Sequence, residues 1–118
     1  TRQSTEEETQ AIRRRVAEEH QASIQTAANE RRRREAIFET GKTAQETSRS
    51  IVRDMYKQLN SDSKEPIKGI KDLQEAFDQM KRAWFQLGES DRTSAIGRSL
   101  IEDMARARLA IKAIQDYN

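Results

Sequence analysis

Residues 70–87 read IKDLQEAFDQMKRAWFQL, and within them Ile70, Leu73, Phe77, Met80, Trp84 and Leu87 recur at steps of 3, 4, 3, 4 and 3. Apolar residues at alternating three- and four-residue steps share one face of an α-helix, whereas a half-buried strand needs them at every second position. The stretch is a heptad seam and the strongest periodic signal in the chain. Phe77 and Trp84, seven residues apart on that seam, are read as core rather than as walls of an aromatic ligand cage. Phe85 falls off the seam and is assigned to packing on another helix or on a partner.

Working outward, Ile96, Leu100, Met104, Ala107, Ile111 and Ile114 repeat the helical spacing downstream, and Ser48, Val52, Met55 and Leu59 do so upstream. Breakers separate the three runs. Asn60-Ser61-Asp62-Ser63-Lys64-Glu65-Pro66 is a polar turn in which Asn60 ends one helix and Pro66 is placed in the first turn of the next. Gly88 is expected as a left-handed C-terminal residue, with Ser90 or Asp91 capping the helix that follows. Ser4 and Thr5, followed by Glu7 and Glu8, match a capping box at the start of the first helix.

The reading is therefore all-α, with helices at about 5–60, 64–87 and 91–117. Short connections make successive helices antiparallel, so a long N-terminal helix joins a helical hairpin in a three-helix bundle of coiled-coil type. Composition agrees: 36% of the 118 residues are charged, with a single Pro and four Gly, and the net charge is only +2. Balanced charge with few breakers suits long helices laced with ion pairs.

The apolar residues divide the chain in two. Residues 1–46 carry only Ile12, Val16, Ile24, Ile37 and Phe38 as large apolar side chains. They are expected to form a polar, Arg-rich helical arm, and residues 47–118 the bundle. Following the register back from Leu59 gives Val52, Ser48, Gln45, Gly41, Phe38, Arg34, Arg31, Ala27 and Ile24, so the seam degrades into small and charged residues. A helix of about 55 residues would run about 80 Å at 1.5 Å per residue, so its N-terminal half is expected to project. Such a helix is marginal alone in water and calls for a partner chain.

Most chemistry is excluded or weak. With no Cys there is no disulfide, thiolate ligand or thiol nucleophile, and the lone His20 lacks partners at metal-ligand spacing. Gly41-Lys42-Thr43 resembles the end of a phosphate-binding loop, but the motif needs a Gly where Ala36 stands. Gly41 is instead read with Ala44 and Ser48 as a small-residue face that admits another helix. The acidic pairs Glu35/Glu39, Asp72/Glu75 and Glu102/Asp103 are assigned to solvated helix faces. No cofactor and no catalytic activity are expected.

Two clusters remain as candidate phosphate- or partner-binding residues: Arg13, Arg14 and Arg15, and Arg31, Arg32, Arg33 and Arg34. The candidate helix-packing residues are Phe38, Gly41, Ala44, Ser48, Val52, Met55 and Phe85. Guanidinium groups bind phosphate or carboxylate bidentately, so the arginines suit either nucleic acid or acidic side chains of another helix. Residues 1–60 hold 12 basic and 10 acidic residues and residues 61–118 hold 10 of each, an excess too small for a dedicated nucleic-acid binder. The expectation is a non-enzymatic structural protein that self-associates or docks into a larger assembly, with nucleic-acid contact as the alternative. Membrane binding is disfavoured, because no run spans a bilayer and the arm lacks a bulky apolar face. The chain is expected to be soluble, inside a cell or within a macromolecular particle.

Overall fold

The computed structural model describes residues 2–118, with side-chain surroundings from residue 4 onward. Four helices follow in order: α1 (Arg2–Leu59), α2 (Ile70–Gln86), α3 (Glu89–Thr93) and α4 (Ala95–Tyr117). Among the described residues there is no strand. The chain divides into two units, Thr1–Arg34 and Glu35–Asn118, and α1 contributes to both.

In the first unit, α1 is helical from Arg2, so Ser4 and Thr5 lie inside the helix rather than capping it. The Thr9 hydroxyl donates to the Thr5 carbonyl four residues back at 2.8 Å, the bond a Ser or Thr makes once it sits within a helix. From Ser4 to Arg34 every residue is exposed except the half-buried Ala28.

The second unit is a bundle of α1, α2 and α4. Its core contains Ile37, Ala44, Met55, Ile67, Leu73, Met80, Leu87, Leu100 and Ile114. Packing on α1 thus begins well before residue 47: Ile37, Gly41 and Ala44 are buried, although the sequence assigns them to the polar arm. Gly and Ala carry little hydropathy but let two helices approach, which is why a boundary drawn from large apolar residues falls too late. A Cβ on Gly41 would stand 3.3 Å from Leu100 Cδ2 and 3.4 Å from Ala83 Cβ, so three helices converge there.

That close approach rotates the seam. The buried residues of α2 are Leu73, Ala76, Met80 and Ala83, whereas Ile70, Phe77 and Trp84 are half-buried at its flank. Likewise α4 buries Gly97, Leu100, Asp103, Ala107, Ala110 and Ile114, leaving Met104 and Ile111 half-buried and Ile96 exposed. Ala76, Ala83, Ala107 and Ala110 share the centre with Leu73, Met80, Leu100 and Ile114, while Ile70, Phe77 and Trp84 wrap the edge of α2.

The joints also differ from expectation. Residues 60–69 are not helical, so Pro66 lies in a linker of turns and bends and α2 starts at Ile70. The linker is tied down at several points. Gln58 Nε2 donates to the Glu65 carbonyl at 2.6 Å and the Tyr117 hydroxyl to the Ser63 carbonyl at 3.2 Å. Asn118 pairs with both backbone groups of Ile67, at 3.0 and 3.1 Å, setting the start of α2 beside the end of α4. Gly69 then turns the chain with φ +97°, and its carbonyl accepts from Leu73 N–H at 2.9 Å. A side chain there would cost about 1 kcal/mol or more in backbone strain and meet Ile51 Cγ2 at 3.2 Å.

Gly88 is extended (φ −68°, ψ 161°), not left-handed. The end of α2 is closed instead by Leu87 N–H, which bonds the Ala83 and Trp84 carbonyls, and by Arg92, which donates to the carbonyls of Trp84 (3.1 Å) and Phe85 (2.6 Å). Ser90 and Asp91 fall within α3, and extended Ser94 divides the expected third helix into α3 and α4.

Candidate functional site

The bundle places the small-residue face of α1 inward. Gly41, Ala44, Ser48 and Met55 are buried, and Phe38 and Val52 are half-buried. These residues lie within the second unit, where Gly41 faces Leu100 and Ala83. Phe85 does not join them. It is 59% exposed, and its ring meets Trp84 edge-on with centroids 5.2 Å apart. The Arg92 guanidinium lies 4.7 Å from the Trp84 ring centroid and 5.9 Å from that of Phe85, a cation–π stack on the surface of the bundle.

A charged node that the sequence reading missed lies between α1 and α4. Asp103, assigned to a solvated face with Glu102, is 2% exposed, while Glu102 is exposed. Its Oδ2 accepts from Arg49 Nη2 at 2.8 Å and from Gln45 Nε2 at 2.9 Å, and its Oδ1 lies 3.5 Å from Arg106 Nη1. Gln45 also donates to the Ser99 hydroxyl at 2.8 Å. The signal for burial was present in Leu100, Asp103, Ala107, Ala110 and Ile114, a helical spacing in which Asp103 occupies an inward position. Ser48, Val52, Arg53 and Tyr56 complete the walls of a shallow cleft of ≈180 Å³ over this node.

The chemistry available to the node is structural: a carboxylate wholly committed to two guanidinium groups and an amide clamps α1 to α4. Arg49 and Arg106 are more than half exposed, so water compensates them if the carboxylate is removed. Asp103→Ala is accordingly expected to destabilise the bundle by about 1–2 kcal/mol, chiefly through the lost bonds to Gln45 and Arg49. Arg49→Ala should cost less than about 1 kcal/mol, since a single exposed partner leaves. Urea unfolding of the two variants checks both the size and the order.

The arginines are placed differently. Arg13, Arg14, Arg15, Arg31, Arg32, Arg33 and Arg34 are all exposed in the first unit, on a helix that also exposes Glu6, Glu7, Glu8, Glu18, Glu19 and Glu30. Arg33 stands 4.0 Å from Glu30 one turn away. Three consecutive positions span most of a helix circumference, so neither cluster is gathered on one side. The chain matches no family model, no curated protein and no solved structure. Among the described residues, no three His, Asp or Glu side chains are grouped to hold a metal ion, and no helix is long and apolar enough to cross a membrane.

Proposed function

We propose that this chain is a non-enzymatic assembly protein, in which the bundle of Glu35–Asn118 is a docking module and the helix of residues 2–34 pairs with another helix. The observation that carries the reading is the exposure of Ile12, Val16 and Ile24, at 61%, 58% and 50%, on a helix whose residues from Ser4 to Arg34 are exposed but for Ala28. A lone helix in water gains little from propensity, and most helical stability in proteins comes from burying an amphipathic face. Exposed Phe85 and the arginine-capped edge of Trp84 offer the bundle an aromatic surface of the kind enriched at interfaces.

Light scattering behind a sizing column, on nucleic-acid-free protein at physiological salt, should give a defined multiple of 13.7 kDa or a mass that rises when a partner is added. Helical ellipticity of the full chain should fall on dilution as residues 2–34 lose their support. A 13.7 kDa species with undiminished helicity at nanomolar concentration overturns the reading.

A second reading rests on the exposure of the same arginines: contact with RNA or DNA. Replacing Arg31, Arg32, Arg33 and Arg34 with Gln should then reduce the salt slope of nucleic-acid binding by about three to four, at about 0.9 per phosphate neutralised on duplex DNA. An unchanged slope removes these residues from any such contact.

A further inference from the structure

The first unit carries large apolar and small residues at positions related by symmetry about a point between Glu19 and His20. Ile12 and Val16 lie as far before that point as Ala27 and Ser23 lie after it, and Ala11 and Ala17 are matched in the same way by Ala28 and Ala22. On an α-helix, positions 12, 16, 23 and 27 fall within about 60° of one another, forming one narrow stripe. The stripe repeats every 11 residues, a period close to the natural helical twist, so two such helices can lie nearly straight against each other. In the structure Ile12, Val16, Ser23 and Ala27 are all exposed.

We infer that residues 5–34 are a homotypic interface: a second copy of this chain lies antiparallel on this helix, with the two-fold axis between Glu19 and His20. The inference rests on the assembly reading above and names its partner and register. Charge complementarity selects the occupant. In this register Glu6, Glu7 and Glu8 of one copy lie level with Arg33, Arg32 and Arg31 of the other, and symmetry repeats the set at the far end. Glu6 and Glu8 flank the stripe on its two sides, as Arg31 and Arg33 do, so these four face across the contact while Glu7 and Arg32 point away. Val16 lies level with Ser23, and Arg13, Arg14 and Arg15 with Thr26, Gln25 and Ile24. Like charges meet where the two Glu19 side chains lie beside His20 at the axis, and where Glu30, on the stripe itself, lies one residue from the level of the other copy's Glu8. A parallel, in-register pair would instead set each acidic or basic block level with its own copy, which is destabilising. Large Ile and Val opposite Ala and Ser allow the helices to approach closely, and an isologous antiparallel contact closes as a dimer.

The absence of native cysteine makes the register directly readable. In the 118-residue chain, Val16→Cys and Ser23→Cys made separately and mixed under mild oxidation should yield mainly the 16-to-23 disulfide. The register offsets residue 16 from its own copy by about 10 Å along the axis, beyond disulfide reach. Mixed-only crosslinking, with a light-scattering mass twice the monomer's, supports the proposal. Crosslinking of each variant with itself shows a parallel pair and overturns it while leaving the assembly reading in place. A defined oligomer without crosslinks at either position does the same, placing the contact elsewhere. A monomer that stays fully helical on dilution sinks both readings; one that loses helicity sinks only the homotypic one.

Charge reversal gives an independent readout. Glu6 and Glu8 changed to Arg, or Arg31 and Arg33 changed to Glu, should each weaken self-association about tenfold or more, summing several exposed pairs. Combining both sets in one chain should restore it, and failure of that rescue overturns the register.

Discussion

Gly97→Ala is expected to destabilise the bundle by about 3 kcal/mol or more, the upper end of what overpacking costs. Gly97 is buried in the first turn of α4, and a Cβ placed on it falls on the backbone carbonyl of Arg92. Backbone atoms cannot swing aside as a side-chain tip does. Relief requires α3 to move off α4, which also pulls Arg92 from the Trp84 and Phe85 carbonyls and from the Trp84 ring. For a folded unit of this size the expected fall in Tm is about 12–24 °C. Gly88→Ala is the matched control. A Cβ at Gly88 meets nothing within 4 Å and its φ of −68° suits alanine, so this change should be neutral or stabilise by up to about 1 kcal/mol. Thermal melts of the two variants in parallel decide the matter; a Gly97→Ala protein as stable as Gly88→Ala would disprove the packing at the α3–α4 joint.

Leu73→Ala should cost about 2–5 kcal/mol, the range for truncating a wholly buried leucine and leaving part of its volume as a cavity. Leu73 is 0% exposed and belongs to the buried stripe of α2, one turn from Ala76 and two from Met80. Leu109→Ala, at a leucine 71% exposed on α4, should stay within about 0.5 kcal/mol. Urea midpoints for this pair test the burial of Leu73, and adding Phe77→Ala tests which α2 face is central. If Phe77→Ala proved far more costly than Leu73→Ala, the centre of the seam would lie at Ile70, Phe77 and Trp84 rather than at Leu73 and Met80.

The helices and the break at residues 60–66 follow from local chemistry: heptad spacing, polar breakers and the scarcity of Gly and Pro are properties of short windows. The same holds for the exposed arginine-rich helix, since a stretch with so few large apolar residues has nothing to bury within its own chain. What short windows do not contain is the choice between adjacent inward faces. Leu73-Ala76-Met80-Ala83 and Ile70-Phe77-Trp84 are both helical stripes on α2, and hydropathy favours the bulkier one.

Tertiary structure chose the smaller-sided stripe because α1 arrives at Gly41 and Ala44, and three helices meet closely only where side chains are short. The same approach turned Asp103 inward, where the charge is tolerable because Arg49 and Gln45 come from a distant part of the chain to meet it. It also fixed the path of residues 60–69, where local Ser61 and Ser63 turn bonds are joined by ties to Asn118, Tyr117 and Gln58. Helix formation is thus set by interactions within a turn or two, readable along the chain. Helix phase, the buried carboxylate and the linker depend on atoms brought together from its distant parts.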